Sequence, residues 1–308
     1  MNINKEVLVS IGVPCYNRAD GLNRLLLSLV SQGYGNIEII ISDNASGNSD
    51  VRKVGEKFAR QDKRIRYFRQ ERNIGITDNF KFVRDKSLGQ YFMWAADDDY
   101  FDDNYIEECV FFLNNNPEFV LAAGKAIYRK PDQSFCDGVN VSFENDHPVE
   151  RIKDYFYCAM DNGFFYGVFR TSIIEEITFD RSFLGEDWVI LSEIAYIGKI
   201  KILSDTYITR DASHLFHDDP WKRFRIMYGL PKLAERVPMV WLALEIQFFI
   251  GKSEILPDSI SGKSVKKMVF TILMHRFKRN YPRIKDKVFI FISRLYYPAF
   301  CFLHRRAR

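Results

Sequence analysis

The chain is 308 residues long, 47% of them hydrophobic, with a net charge of +4; that is enough apolar material for one large domain with an appendage, or for two. Its five cysteines (Cys15, Cys109, Cys136, Cys158 and Cys301) are scattered and form no C-x-x-C pair, which argues against a disulfide framework or a zinc site and for a reducing compartment. The charge is unevenly placed: from Ser259 onward thirteen Lys/Arg face one acid, Asp286, a local charge of +12 that leaves −8 on the first 258 residues.

The amino terminus is polar and runs directly into a strand, without the pattern of a signal peptide. Glu6 to Val13 reads as a buried first strand ended by Pro14. Leu22, Leu25, Leu26, Leu29 and Val30 then recur at helical spacing, and Gly33 and Gly35 stop that helix. Ile37 to Ser42 is a second strand, followed by the polar turn Asp43 to Gly47 and a polar helix over Asp50 to Gln61. Ile65 to Arg69 is the third strand, Asn73-Ile-Gly75 turns into a helix through Lys86, and Gln90 to Ala96 is the fourth strand. A helix over Asn104 to Asn114 and a strand over Glu118 to Tyr128 follow. Strands recur about every 28 residues, the length of a βα repeat, which predicts a largely parallel sheet covered on both faces.

Residues 130 to 150 read as a polar loop. Short helical pieces are expected over Asp154 to Ala159 and Ser172 to Ile177, a helix from Gly185-Glu-Asp-Trp188 to Ile197, and a strand over Lys199 to Ile208. From Trp221 the period is helical, broken by Pro231, Pro238, Pro257 and Pro282. The expected division is therefore a first domain over 1–218 and a helical, basic module over 219–308. No stretch reaches the ~18 uninterrupted apolar residues of a membrane span.

Chemistry concentrates where strands end. Tyr91 to Ala96 delivers three consecutive carboxylates, Asp97, Asp98 and Asp99. Adjacent carboxylates repel, and a hard divalent cation between them relieves the repulsion; the alternative is a solvated acidic turn. Pro14 to Arg18, Ser42 to Ser46 and Asn73 to Asn79 lie at the same end of neighbouring strands, the edge where doubly wound sheets bind nucleotides.

Val9-Ser-Ile-Gly-Val-Pro-Cys-Tyr-Asn-Arg18, Ile41-Ser-Asp-Asn-Ala-Ser46, Asn73-Ile-Gly75 and Ala96-Asp-Asp-Asp-Tyr100, in that order and spacing, resemble family 2 glycosyltransferases of the GT-A fold. The resemblance covers roughly residues 5 to 215. It implies a Rossmann-like, mostly parallel central sheet with helices on both faces, followed here by the helical module. It implies an enzyme that moves a sugar, with inversion, from a nucleotide-diphosphate donor to a glycan or polyprenyl-linked acceptor in surface polysaccharide synthesis. Pro14, Tyr16, Asn17 and Asp43 would hold the nucleoside, and Asn73 and Gly75 would line base and ribose. Asp97 and Asp98 would face the donor. Asp98 and Asp99 match the last two acids of the family's metal motif, whose first position is Ala96 here. The implied cofactor is Mn2+ or Mg2+, with His214 as a further contact to metal or diphosphate. Glu186 and Asp187 match an acidic pair at a helix start, Asp187 as the base and Glu186 as its orienting partner or a contact to the acceptor. The aromatic segment Gly163 to Arg170 either stacks on a sugar or is a core strand.

The basic tail interleaves charges with apolar and aromatic residues. It suits either an anionic membrane interface, placing the protein at the inner face of the plasma membrane, or packing on the body or on another copy of the chain. No recognised module accompanies the charge, so nucleic acid is not an expected partner. A nucleotide-sugar-binding scaffold without catalysis remains a second reading. A sugar-phosphate nucleotidyltransferase is a third; its Gly-rich phosphate loop is missing from Cys15 to Arg18.

Overall fold

The structure is a computed structural model that describes residues 7–47, 49–158, 161–177, 182–211, 220–236, 238–256 and 268–273. The chain forms two compact units, one of residues 1–144, 160–182 and 197–216, the other of 145–159, 183–196 and 217–308.

The first unit is built on a nine-stranded sheet. Strands β1 (Val9–Cys15), β2 (Ile37–Asp43), β3 (Ile65–Arg69) and β4 (Tyr91–Trp94) are mutually parallel, in the spatial order β3-β2-β1-β4. Every residue of β1, β2 and β4 is buried. Two-sided burial explains why they read as continuous apolar runs rather than alternating ones. Helices α1 (Ala19–Val30), α2 (Ser49–Gln61) and α3 (Ile76–Asp85) connect them. Leu22, Leu25, Leu26 and Leu29, spaced at three and four residues, put one fully buried stripe of α1 on the sheet.

Beyond β4 the sheet changes character. Strand β5 (Asp99–Phe101), helix α4 (Tyr105–Asn115) and the long β6 (Phe119–Arg129) lead to β7 (Phe135–Asp137), which pairs antiparallel with β6 inside the segment expected as loop. After the 3-10 turn Gly163–Tyr166, β8 (Val168–Arg170) inserts between β4 and β6, antiparallel to both. Helix α6 (Thr171–Glu176) follows. Finally β9 (Lys199–Asp211) runs parallel to β6 and antiparallel to β5. The expected parallel arrangement thus describes the first four strands, and the other half of the sheet is mixed.

In the second unit, α5 (Pro148–Cys158) and α7 (Glu186–Ile197) cluster with α8 (Pro220–Met227), α9 (Lys232–Arg236) and α10 (Pro238–Ile250). Trp188 packs on Phe156 (6.3 Å, stacked) and Tyr155 (5.9 Å). Buried Arg151 donates to the carbonyls of Ala195 (2.6 Å) and Tyr196 (2.8 Å), satisfying α7's last turn. These helices lie early in the chain, so the unit is assembled across sequence rather than after a single boundary at 218. Among the described residues no helix is long and apolar enough to cross a membrane. Of the basic tail, only residues 268–273 are described, as helix.

Candidate functional site

The carboxyl ends of β1 and β2 are stitched together by short polar bonds. Asn17 has φ 58, a left-handed conformation that asparagine tolerates well. Its backbone N–H donates to Ser46 Oγ (2.9 Å), and its side-chain oxygen accepts from Gly47 N–H (2.9 Å). Asp43 is completely buried. Its Oδ1 accepts from Ser46 N–H (2.8 Å), and its Oδ2 from Tyr67 Oη (2.8 Å) and Arg69 Nη1 (2.7 Å). Both oxygens of Asp43, expected to help hold the nucleoside, therefore serve the loop, where they hold its turn against β3. Burial, then the bond to Asp43, pushes the Tyr67 hydroxyl above its usual range.

The Asn73–Gly75 turn is anchored by Asn44, the residue that follows Asp43 in the second motif. Asn44 Nδ2 donates to Asn73 Oδ1 (3.1 Å) and Gly75 O (3.0 Å), and its Oδ1 accepts from Ile74 N–H (2.8 Å). Gly75, at φ +90, adopts a conformation that L side chains rarely reach. Pro14 is buried within β1, whereas Tyr16 and Asn17 are exposed at its end.

The acidic triplet divides. Asp97 Oδ2 accepts from Tyr16 N–H (3.1 Å), and Asp97 Oδ1 and Asp98 Oδ2 both face Arg18 Nη1, at 3.2 and 2.5 Å. Asp99 is 1% exposed and turns the other way, to Arg210 Nε (3.2 Å) on β9. Arg210 in turn lies over the rings of Tyr166 (4.5 Å) and Tyr128 (5.7 Å). Burial raises the Asp97 carboxyl to about 6 against the pull of Arg18. Asp99 is raised more, to about 7, again by burial and against Arg210. The charge that sequence reasoning sought from a cation is met in this structure by two guanidiniums from distant elements.

Helix α1 presses directly on this segment. A Cβ on Gly21 would overlap the Asp97 carbonyl oxygen and stand 3.2 Å from its carbonyl carbon. The result is a cleft of about 580 Å³ whose lining includes Asn17, Arg18, Asp20, Arg24, Asp97 and Asp98. That size suits a small-molecule site. Among the described residues no group of three or more His, Cys, Asp or Glu is placed to hold a metal. Asp97 and Asp98 nonetheless converge on one cationic point, now filled by Arg18 Nη1. Two hard carboxylate oxygens so arranged fit a Mg2+- or Mn2+-like ion that draws its other ligands from phosphate and water. Asp99, expected among the ligands, lies behind them in its pair with Arg210.

Glu186 and Asp187 form the first turn of α7 in the second unit, both half-buried. Gly185 precedes them at φ +92, where a Cβ would meet Leu242 (2.8 Å) and Ile246 (3.1 Å). Burial, then the charges of Asp187 and Glu186, raises the Tyr228 hydroxyl. Phe164 and Phe165 are core: Phe165 stacks on Trp94 at 4.9 Å with the planes 8° apart. His214 falls outside the described residues.

A family profile described as Glycosyl transferase family 2 matches residues 10–177. The GalNAc(5)-diNAcBac-PP-undecaprenol beta-1,3-glucosyltransferase of Campylobacter jejuni is 27% identical over 187 residues, 59% of this chain and 59% of that protein. The glycosyltransferase GlyA of Streptococcus pneumoniae is 24% identical over 211 residues, 62% of this chain and 29% of its own length. The chain therefore spans less than two thirds of either relative. Among solved structures, S. aureus TarS 1-349 superposes with a TM-score of 0.59 at 15% identity, covering 89% of this chain and 72% of that one. The same TarS fragment in complex with UDP-GlcNAc gives 0.58 at 17% identity, covering 90% of this chain and 73% of that one. At that identity the likeness is one of fold.

Proposed function

The chain belongs to glycosyl transferase family 2, and from that premise we propose that it transfers a sugar from a nucleotide-diphosphate donor to a glycan or polyprenyl-diphosphate-linked acceptor of a surface polysaccharide. The observation that carries the reading is the cleft at the carboxyl ends of β1 and β4, where Asp97, Asp98 and Arg18 meet the loop that Asn17 ties to Ser46. The named substrate of the Campylobacter relative supports the choice of acceptor, and the UDP-GlcNAc complex of TarS supports the class of donor.

The proposed chemistry is a single displacement. The acceptor hydroxyl oxygen forms a bond to the anomeric carbon as the bond from that carbon to the diphosphate oxygen breaks, and the configuration inverts. The electron pair leaves with the diphosphate. Asp187 takes the acceptor proton and Glu186 orients it; like charge beside a carboxylate favours the proton-accepting task. Tyr16, Asn17 and the turn held by Asn44 receive the nucleoside, with Asn73 and Gly75 beside base and ribose. Asp97 and Asp98 would hold the divalent cation, which supplies positive charge to the departing diphosphate. The basic tail would place the protein at an anionic membrane surface where lipid-linked acceptors reside.

A scaffold that binds nucleotide sugars without turnover is the second reading, favoured by Ala96 in the metal motif and by the withdrawal of Asp99 toward Arg210. One experiment separates the two. A panel of nucleotide sugars is screened for thermal stabilisation with and without Mn2+, and each stabilising donor is then assayed for transfer to polyprenyl-diphosphate sugars. A donor at a hundred times its Kd should add about 2.7 kcal/mol of stability, and its turnover should require the metal. Stabilisation without transfer or hydrolysis would establish the scaffold; no stabilisation by any donor would remove both.

A further inference from the structure

The cleft has an electrostatic difficulty that the proposed function leaves open. Its lining carries five carboxylates (Asp20, Asp50, Asp97, Asp98 and Asp211) against two guanidiniums, Arg18 and Arg24. Asp211 pairs with Arg129 at 2.5 Å and faces Arg24 at 3.6 Å, Asp50 pairs with Lys53 at 2.7 Å, and Arg18 spans Asp97 and Asp98. An anionic diphosphate entering this lining would meet more carboxylates than guanidiniums, and both lining arginines already face carboxylates.

Arg18 is partly exposed beside the cleft, and the other arginine of the acidic triplet is enclosed. Arg18 immediately precedes α1, makes no side-chain capping bond, and its side chain is 38% exposed along the cleft. Arg210 instead lies over the rings of Tyr166 and Tyr128 and is paired with a carboxylate that is 1% exposed. Arg18 Nη1 also stands, among the described residues, at a point on which Asp97 and Asp98 converge. A divalent cation and this guanidinium therefore compete for the same two oxygens.

We propose that Arg18 is a displaceable latch: its guanidinium closes the Asp97–Asp98 pair until a divalent cation takes that place, and the released guanidinium then binds the diphosphate. This rests on the glycosyltransferase reading for its ligand and goes beyond it in assigning an order, cation before donor, and a positioning residue that couples them. By linkage, the free energy that holds Arg18 on the carboxylates weakens cation binding by the same amount.

The test uses the full chain and two probes that need no knowledge of the donor, Mn2+ alone and inorganic diphosphate at saturating Mn2+. Mn2+ binding is followed by loss of the free-ion electron paramagnetic resonance signal, and diphosphate binding by titration calorimetry. Arg18→Gln should bind Mn2+ at least about fivefold more tightly than the unaltered chain, and diphosphate at least about fivefold more weakly. Arg18→Lys keeps a point charge on a flexible stem and should restore both values toward the original. A purely structural role for Arg18 cannot tighten metal binding. Unchanged or weaker Mn2+ affinity in a folded Arg18→Gln chain overturns the latch, as does absence of Mn2+ binding in every variant. If a donor is turned over yet Arg18→Gln leaves metal affinity unmoved, the latch fails and the enzyme reading stands. If Arg18→Gln shows both shifts and no donor is turned over, the latch stands and the enzyme reading fails.

Discussion

Replacing Gly21 by alanine sets two effects of opposite sign against each other. In a helix, alanine is favoured over glycine by about 0.8–1 kcal/mol, and less than this near an end. Gly21 is the third residue of α1, so the gain is modest. Against it, the new Cβ would overlap the Asp97 carbonyl oxygen and lie 3.2 Å from the carbonyl carbon and 3.7 Å from the Cα of Asp98. All three obstacles are main chain, so no side chain can rotate away; either α1 or the acidic segment must shift. Overpacking of this kind costs about 1–3 kcal/mol. The net expectation is a loss of about 1–2 kcal/mol, read as a lower urea midpoint with an unchanged slope and a melting temperature about 2–8 °C lower. The shift also moves Asp97 and Asp98 relative to Arg18, so Mn2+ affinity should change alongside stability. A Gly21→Ala chain as stable as the original, with the same metal affinity, would refute the claim that helix and acidic segment are in unyielding contact.

Arg210→Met should strand a buried carboxylate on Asp99 and cost about 3 kcal/mol in urea unfolding; adding Asp99→Asn should recover most of it, and failure to recover would mean that Arg210 acts through its ring contacts instead. Burial raises the Asp97 carboxyl from 3.8 to about 6. Between about pH 4 and 6 the folded state therefore holds a proton that the unfolded state has lost, and stability should fall as pH rises through that window. In Asp97→Asn this decline should become shallower in melting curves taken across the window, and an identical slope would discount the shift. Asp187→Asn should reduce turnover by at least about 10²-fold while leaving donor-induced thermal stabilisation intact; near-normal turnover would remove the residue from the role of base.

The local elements were readable wherever an apolar run or a helical spacing of apolar residues was long enough to mark them. Ile65–Arg69 is a strand with the bounds its composition suggests, and α1 buries the four leucines that its spacing singled out. The motif order also gathered the loops expected to bind a nucleotide at one edge, because parallel strands joined by helices deliver all their carboxyl ends to one side. Short strands escaped notice. Asp99–Phe101 and Phe135–Asp137 are three residues each and exist only through their partners, β9 for the first and β6 for the second. Three residues carry too little pattern to declare themselves.

What the chain determined alone was the kind of residue at each strand end; which charges meet there was decided by packing. Three adjacent aspartates looked equivalent in sequence. Folding gave Asp97 and Asp98 to Arg18, 79 and 80 residues away, and Asp99 to Arg210, 111 residues away. It filled both oxygens of Asp43 with its own loop and with β3, and it gathered α5 and α7 with helices from beyond residue 217. Such partners lie far apart along the chain, and a carboxylate's neighbour in a low-dielectric interior governs its charge far more strongly than anything adjacent to it in sequence.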